Sequence, residues 1–291
     1  MKILVTGGCG FVGSHLVPYL RERGHAVVAP TRKSLDVLDC LSIERHLLEF
    51  TPDTIIHLAA ITSRPQNMAE EARLREVNVQ GASNVAKLSK GSHFIMASTC
   101  HVYGTPTSLP ISEDHPLKGE GAYPRSKILA EKAAQGVARK NTTILRLFNL
   151  LGPGQRREFA LAGWCWDSCE AERQDATEMP LKLVVGDLSL ERDYLDVRDA
   201  VDGICRVVEA GIEYAGKAIN ICSGKATSLE ELFSLCAPTA LPEMITARLR
   251  GGDPNRIVGC NRALLALDWR QKHSLEASVS HMRSWIKSNL D

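Results

Sequence analysis

Tyr123 and Lys127 stand four residues apart in the segment YPRSK. On a helix that spacing puts both side chains on one face, so an ammonium can sit beside a phenol. Positive charge near a phenol favours the phenolate and lowers its pKa, which suits a proton donor or acceptor working near neutral pH. Pro124 is compatible with a helix there only in its first turn. Upstream, ASTCHVYG at 97–104 crowds Ser98, Thr99, Cys100 and His101 into consecutive positions. Such a run could be a Cys–His nucleophile pair, a hydroxyl-based proton relay, or the polar end of a buried strand. Neighbouring side chains of an extended strand point to opposite faces, so Cys100 and His101 do not form a dyad with each other. Thr99 and His101 share a face if the strand persists that far. His101 is then either an auxiliary acid reaching a substrate or a packed structural histidine. Cys100 is expected to be a small buried side chain, and Cys9 likewise.

Near the start, Thr6-Gly7-Gly8-Cys9-Gly10-Phe11-Val12-Gly13 follows an apolar run and opens a helical one. Glycines at 7, 10 and 13 permit a tight turn, close approach of backbone to a pyrophosphate, and close helix–strand packing. The helix N-terminus then offers amides and partial positive charge to phosphates. An ordinary strand-to-helix turn is the bland alternative; the strand before and the helix after point to dinucleotide binding. An acidic residue is expected about 20 residues on, for the adenosine ribose. The chain instead reads Ala29-Pro30-Thr31-Arg32-Lys33. Arg32 and Lys33 can pair with a 2′-phosphate, which predicts NADP(H) in preference to NAD(H), unless both are simply solvated. Asp36-Val37, expected at the end of the next strand, is placed to meet the adenine edge.

The elements that must position these groups follow from the apolar pattern. Strands are predicted at Lys2–Thr6, Ala26–Ala29, Thr54–Leu58, His93–Ser98 and Thr143–Phe148, with helices near 11–23, 41–50, 69–90 and 123–140. Continuous apolar strands alternating with helices indicate a parallel sheet covered on both faces. His57, ending one such strand, reads as a satisfied core histidine. After the turn Gly152-Pro153-Gly154 the regularity breaks, and 155–180 reads as a polar insertion carrying Trp164 and Trp166. Those tryptophans either cover a nucleotide or anchor a small lobe. A helix near 198–211 and a strand at Ala218–Ile221 return to the earlier style.

Composition narrows the classes. The chain has 291 residues with 35 basic and 34 acidic side chains, so nothing resembles the basic stripe that nucleic acid binding needs. Nine cysteines without CxxC or Cys/His ligand spacing argue against a zinc site, and no metal is expected. Free thiols fit a reducing compartment. The apolar run after Lys2 is too short for a secretory signal, and no run of about 18 apolar residues exists to span a membrane. A cytoplasmic protein is expected.

The segments GGCGFVG, HLAA (57–60), NVQG (78–81), STCHVYG (98–104), YPRSK and FNLLGPG (148–154) occur in the order seen in extended short-chain dehydrogenases/reductases. The chain resembles the NDP-sugar epimerase/dehydratase group of that family over essentially its full length. Later segments, VVGDLSLERDYLDVRD (184–199), NICSGKATSLEEL (220–232) and RLRGGDP (248–254), are similar to the GDP-4-keto-6-deoxy-D-mannose reductase branch. The resemblance implies an α/β fold: a Rossmann doubly wound parallel sheet with a smaller mixed α/β substrate-binding lobe. The NADP-binding domain would comprise 1–152 and 190–222, and the sugar-nucleotide lobe 153–189 and 223–291. It implies cofactor contacts from Gly7, Gly10, Phe11, Val12 and Gly13, from Arg32, Lys33, Asp36 and Val37, from Leu58, Ala59 and Ala60, and from Asn78. Thr99 would hydrogen-bond the sugar C4 oxygen beside Tyr123, Tyr123 would donate the proton as hydride arrives, and Lys127 would lower its pKa and hold the nicotinamide ribose. Asn149, Arg192 and Arg250 would bind substrate, the two guanidiniums gripping the pyrophosphate unless they serve only surface salt bridges.

Cys100 and His101 occupy the places where dehydratases of the family carry an Asp-Glu pair, which argues against 4,6-dehydratase chemistry. Leu150 replaces a histidine often found in the reductase branch. The expected activity is NADPH-dependent reduction of a nucleoside-diphosphate 6-deoxy-4-keto-hexose. An NAD-dependent 4-epimerase and a non-catalytic NADP(H) sensor are the alternatives, the last disfavoured by the complete Thr99, Tyr123 and Lys127 set. The resemblance also implies a homodimer, with helices near 69–90 and 123–140 forming a four-helix bundle.

Overall fold

The computed structural model describes residues 1–174, 181–244 and 254–290. Strand β1 (Lys2–Thr6) is buried at all but its first residue, as expected of an apolar run at the centre of a parallel sheet. The chain continues through α1 (Phe11–Glu22), β2 (Ala26–Val28), α2 (Cys40–Phe50), β3 (Thr54–His57), α3 (Met68–Arg75), α4 (Ala82–Leu88), β4 (His93–Thr99), α5 (Ala122–Ala138) and β5 (Thr142–Leu147). Then follow β6 (Asn149–Leu151), α6 (Ala160–Arg173), β7 (Lys182–Val185), β8 (Glu191–Arg192), β9 (Tyr194–Asp196), α7 (Val197–Ala210) and β10 (Ala218–Ile221). The last part holds β11 (Thr227–Ser228), α8 (Leu229–Cys236), β12 (Leu241–Met244), β13 (Arg256–Ile257), α9 (Arg262–Leu265) and α10 (Leu275–Lys287).

Six strands form one sheet in the order β10-β5-β4-β3-β1-β2, every neighbouring pair parallel. From β1 the chain steps outward to β2 and then back across to β3. That reversal opens a crevice at the carboxyl ends of β1 and β3, the place where open α/β sheets bind ligands. The architecture is the Rossmann-type mixed α/β fold that the alternation of elements predicts.

Three details differ from the sequence reading. Asp36 and Val37 do not end a strand: residues 31–39 form turns, with Leu38 N–H donating to Asp36 Oδ1 at 3.0 Å and Asp39 N–H to Asp36 O at 3.0 Å. An Asp that bonds its own downstream backbone stabilises a turn over an extended ladder. The helix expected near 69–90 is a rod interrupted by a π-helical turn at Glu76–Gly81. The polar insertion contains α6, whose Leu161, Trp164, Cys165, Ser168 and Cys169 are buried at helical spacing.

This α6 face, with Phe233 of α8 and Val279, Met282 and Ile286 of α10, makes a hydrophobic core separate from those of the sheet. Trp164 stands edge-on to Phe233 at 5.3 Å and Trp166 edge-on to Trp285 at 6.1 Å, so both tryptophans anchor this lobe. The C-terminal stretch returns to the sheet, where Leu264 and Trp269 pack with α7. Asp193, fully buried, joins the two bodies. Its carboxylate accepts Ser223 N–H (2.9 Å) and Oγ–H (2.7 Å), Gly224 N–H (3.0 Å) and Gly259 N–H (3.1 Å). Burial pushes its pKa up to about 6, yet all its partners are donors and demand the ionised form.

Candidate active site

The turn after β1 is built for close approach. Gly7 has φ of +74°, and a Cβ there would lie 2.6 Å from Ala59 N; a Cβ on Gly13 would lie 2.4 Å from Gly7 O. Gly10 N–H donates to Gly7 O at 3.0 Å and closes the turn. Helix α1 then starts at Phe11 with no capping side chain and no acidic residue in its first turn, so its positive end, at Phe11, Val12 and Gly13, is not neutralised. Leu58 N–H donates to Thr6 O at 3.0 Å and holds the half-buried Leu58-Ala59-Ala60 segment against this turn. Arg32 and Lys33 follow β2, exposed, with no hydrogen bond or ion pair among the described residues. Cys9 is exposed, not buried.

Asn78 sits in the π turn, 1% exposed. Its amide accepts Ile61 N–H (2.8 Å) and donates to Ile61 O (3.0 Å) and Ser126 Oγ (3.0 Å). With both amide hydrogens engaged, Asn78 ties the segment after β3 to α5. Ser126 Oγ in turn donates to Tyr123 O at 2.7 Å, fixing the first turn of α5.

Strand β4 ends at Thr99 and passes into a 3₁₀ turn at Cys100–Tyr103. His101 N–H donates to Thr99 Oγ1 at 3.3 Å. That contact leaves the hydroxyl hydrogen for the Tyr123 phenol, which reaches Thr99 from the facing helix α5. Burial, and then the nearby Cys100, raise the Tyr123 pKa, while the Thr99 hydroxyl lowers it. The 3₁₀ turn ends the face-sharing that would have aligned Thr99 with His101, and His101 is exposed. Cys100 is 3% exposed and its thiol is pushed up to about 12 by burial, which makes it inert.

Lys127 is 4% exposed, and its ammonium makes no hydrogen bond or ion pair among the described residues. Burial brings its pKa down to about 8, against an upward pull from Glu131. Burial, Cys100 and Thr99, and not Lys127, are what shift the Tyr123 phenol in the free protein. The lysine's nearest electrostatic effect is on His57, which burial first, and Lys127 second, hold neutral at about 3 while the ring bonds Thr6 Oγ1 at 2.8 Å. His57 is thus a satisfied core residue.

Beneath the pair lies a network that spacing did not single out. Glu131, one turn beyond Lys127 on α5, is 2% exposed and takes the Arg146 guanidinium at 2.8 Å and 3.2 Å, with the Ser98 hydroxyl also donating to it. Arg146 donates further to Tyr103 Oη (3.1 Å) and Glu113 O (2.7 Å), and Tyr103 donates to Asn220 Oδ1 at 2.6 Å. This pins α5 to β4, β5 and β10, so Tyr123 and Lys127 are presented from a rigid base. A charged residue inside the apolar strand Thr142–Leu147, with an acid repeating the Tyr123–Lys127 spacing, was the available signal.

Of the expected substrate groups, Asn149 is half-buried and donates to Asp193 O at 3.1 Å. Arg192 is half-buried, donates to Glu191 O at 2.9 Å, and lies near enough to lower the Cys100 pKa, which brings it to the end of β4. Arg250 lies outside the described residues.

Two features fit a dinucleotide: a glycine turn that a Cβ at Gly7 or Gly13 would fill, and a buried ammonium with no hydrogen bond or ion pair among the described residues, one helical turn from a phenol. The sequence profile described as the NAD dependent epimerase/dehydratase family matches residues 3–222. The chain belongs to that family. Within it, the chain is 30% identical over 98% of its length to the GDP-6-deoxy-D-mannose reductase of Pseudomonas aeruginosa, covering 98% of that protein. It is 32% identical over 84% of its length to the GDP-6-deoxy-D-talose 4-dehydrogenase of Aggregatibacter actinomycetemcomitans, covering 82% of it. The solved structure of RMD from Pseudomonas aeruginosa complexed with NADPH superimposes with a TM-score of 0.86 at 29% identity, over 99% of both chains. The protein is an enzyme of this epimerase/reductase superfamily, whose members here act on nucleoside-diphosphate sugars. Among the described residues no helix is long and apolar enough to cross a membrane.

Proposed function

We propose that this protein reduces the C4 keto group of a nucleoside-diphosphate 6-deoxy-4-keto-hexose, a GDP-4-keto-6-deoxymannose-like sugar, with NADPH. The observation that carries the reading is the Thr99–Tyr123 hydroxyl pair with the buried Lys127 one helical turn further along α5, in a chain that also holds the glycine turn. The nicotinamide, when bound, supplies the hydride. Thr99 orients the C4 oxygen, Tyr123 protonates it, and Lys127 holds the ribose. Arg32 and Lys33, exposed and unengaged, meet the 2′-phosphate, so NADP(H) is preferred and NAD(H) remains usable. Similarity to the GDP-sugar reductase and 4-dehydrogenase supports the substrate class. Residues 1–152 and 190–222 would carry the cofactor and 153–189 with 223–291 the sugar nucleotide, gripped by Asn149, Arg192 and Arg250. His101, exposed, has no assigned step.

Purified protein given GDP-4-keto-6-deoxymannose should oxidise NADPH, and Tyr123→Phe should abolish that turnover while keeping cofactor binding. Tightly bound NAD that copurifies, with no reductant consumed, would instead support an NAD-dependent 4-epimerase, an activity named for another protein similar over its length. We propose a homodimer through α3–α4 and α5, where Met68, Leu129 and Val137 are exposed; a monomer in sedimentation would refute it.

A further inference from the structure

His25, Cys205 and Glu209 meet at the edge of the sheet opposite the crevice. His25 lies in the turn between α1 and β2, at the amino end of β2, and Cys205 and Glu209 lie one turn apart on α7. One donor atom from each residue falls within 4.8 Å of the other two. The His25 side chain is only 9% exposed. Its Nε2 is closed off from solvent and makes no hydrogen bond. It faces Glu209 Oε1 at 3.5 Å, and Cys205 reaches the same carboxylate. In a tetrahedral zinc site with N and O bonds of about 2.0–2.1 Å, those two atoms would stand about 3.4 Å apart. A buried imidazole nitrogen aimed at a thiol and a carboxylate, with no hydrogen bond of its own, is what a metal ion would satisfy.

We propose that His25 Nε2, Cys205 Sγ and Glu209 form a three-ligand site for a zinc-type transition metal, clasping the α1–β2 turn to α7 and leaving a fourth position for water. One imidazole, one thiolate and one carboxylate favour Zn²⁺ or Co²⁺ over Mg²⁺ or Ca²⁺, which prefer all-oxygen shells. On binding, the Cys205 S–H bond gives its proton to solvent and the sulfur–metal bond takes its place. Arg23 competes, donating to both Glu209 oxygens at 2.9 Å, but its side chain is 50% exposed and free to swing into solvent. The expectation of no metal rested on local spacing, which cannot see a histidine 180 residues from its Cys-x₃-Glu partners.

The test is Co²⁺ titration of the full-length, chelator-stripped protein. A thiolate-to-cobalt charge-transfer absorption should saturate near one equivalent and vanish when Zn²⁺ is added. Cys205→Ser should abolish it, His25→Gln should weaken binding by about tenfold or more, and Arg23→Ala should tighten it. Cooperative urea unfolding of each variant confirms that it is folded. Absence of the band in the wild-type protein would overturn the site, as would a band that survives Cys205→Ser and so belongs to exposed Cys9 or Cys40. Neither outcome bears on the ketoreductase reading, since the site lies at the other end of the sheet.

Discussion

Lys127→Met removes an ammonium that is 4% exposed and unbonded among the described residues, and keeps an unbranched side chain of similar length. Glu131 is not orphaned, because Arg146 already holds it at 2.8 Å. Burial takes the lysine from 10.5 to about 8, and at about 1.4 kcal/mol per pH unit the difference amounts to about 3 kcal/mol. The sign follows from proton counting. Between about 8 and 10.5 the unfolded chain keeps a proton that the folded protein has released, so wild-type stability rises with pH across that window. Below the window the cost of the buried charge is complete, and above it the cost is gone.

At pH 7 the methionine variant should therefore be more stable than wild type, by up to about 3 kcal/mol. The gain should shrink through the window, leaving only the packing difference at its top. Urea denaturation of both proteins, free of nucleotide, across pH 7 to 10.5 measures this, with equal m-values as the check that the unfolded states match. A variant that is no more stable at pH 7, or whose advantage is flat with pH, would refute the reasoning. The same variant should lose turnover, since the proposed reaction uses the ammonium to hold the nicotinamide ribose.

Glu131→Gln strips Arg146 of its buried counter-charge and should cost about 3–5 kcal/mol in urea unfolding, with much of that recovered in the double variant Glu131→Gln/Arg146→Met. Replacing Arg32 and Lys33 together with alanine should weaken NADPH binding by about tenfold to a hundredfold and leave NADH binding unchanged, as read by cofactor fluorescence. Gly13→Ala forces a Cβ to 2.4 Å from Gly7 O, so nucleotide binding by calorimetry should disappear.

The sheet was legible because β1, β3, β4 and β5 are short runs of Ile, Leu, Val and Phe that only a doubly covered parallel sheet can bury. The glycine turn and the Tyr123–Lys127 pair were legible in spacing that maps onto one turn and one helix face, whereas Thr99 was picked out by the resemblance to the family and lies at a strand end. Helix α6 was not legible: Leu161, Trp164, Cys165, Ser168 and Cys169 recur at helical intervals, but Cys and Ser do not mark an apolar stripe by type. The turn at Asp36 was hidden because an Asp can end a strand or bond its own backbone, and only the Leu38 amide decides. The Glu131–Arg146 bridge left only a partial signal, a charge inside an apolar strand, and the His25–Cys205–Glu209 cluster joins distant segments that no local pattern connects.

The protonation states bear on the direction of the proposed reaction. Tyr123 is raised by burial and by Cys100, with only the Thr99 hydroxyl pulling down, so the free protein holds it as a neutral phenol. A proton donor needs that form at rest. An epimerase must run its first half-reaction the other way, taking a proton from the C4 hydroxyl, and for that it needs the phenolate. Lys127 would have to supply the stabilising charge, yet with a pKa of about 8 it gives up its own proton before the phenol does. The same burial that destabilises the lysine thus keeps the tyrosine in the neutral form that the proposed reduction calls for.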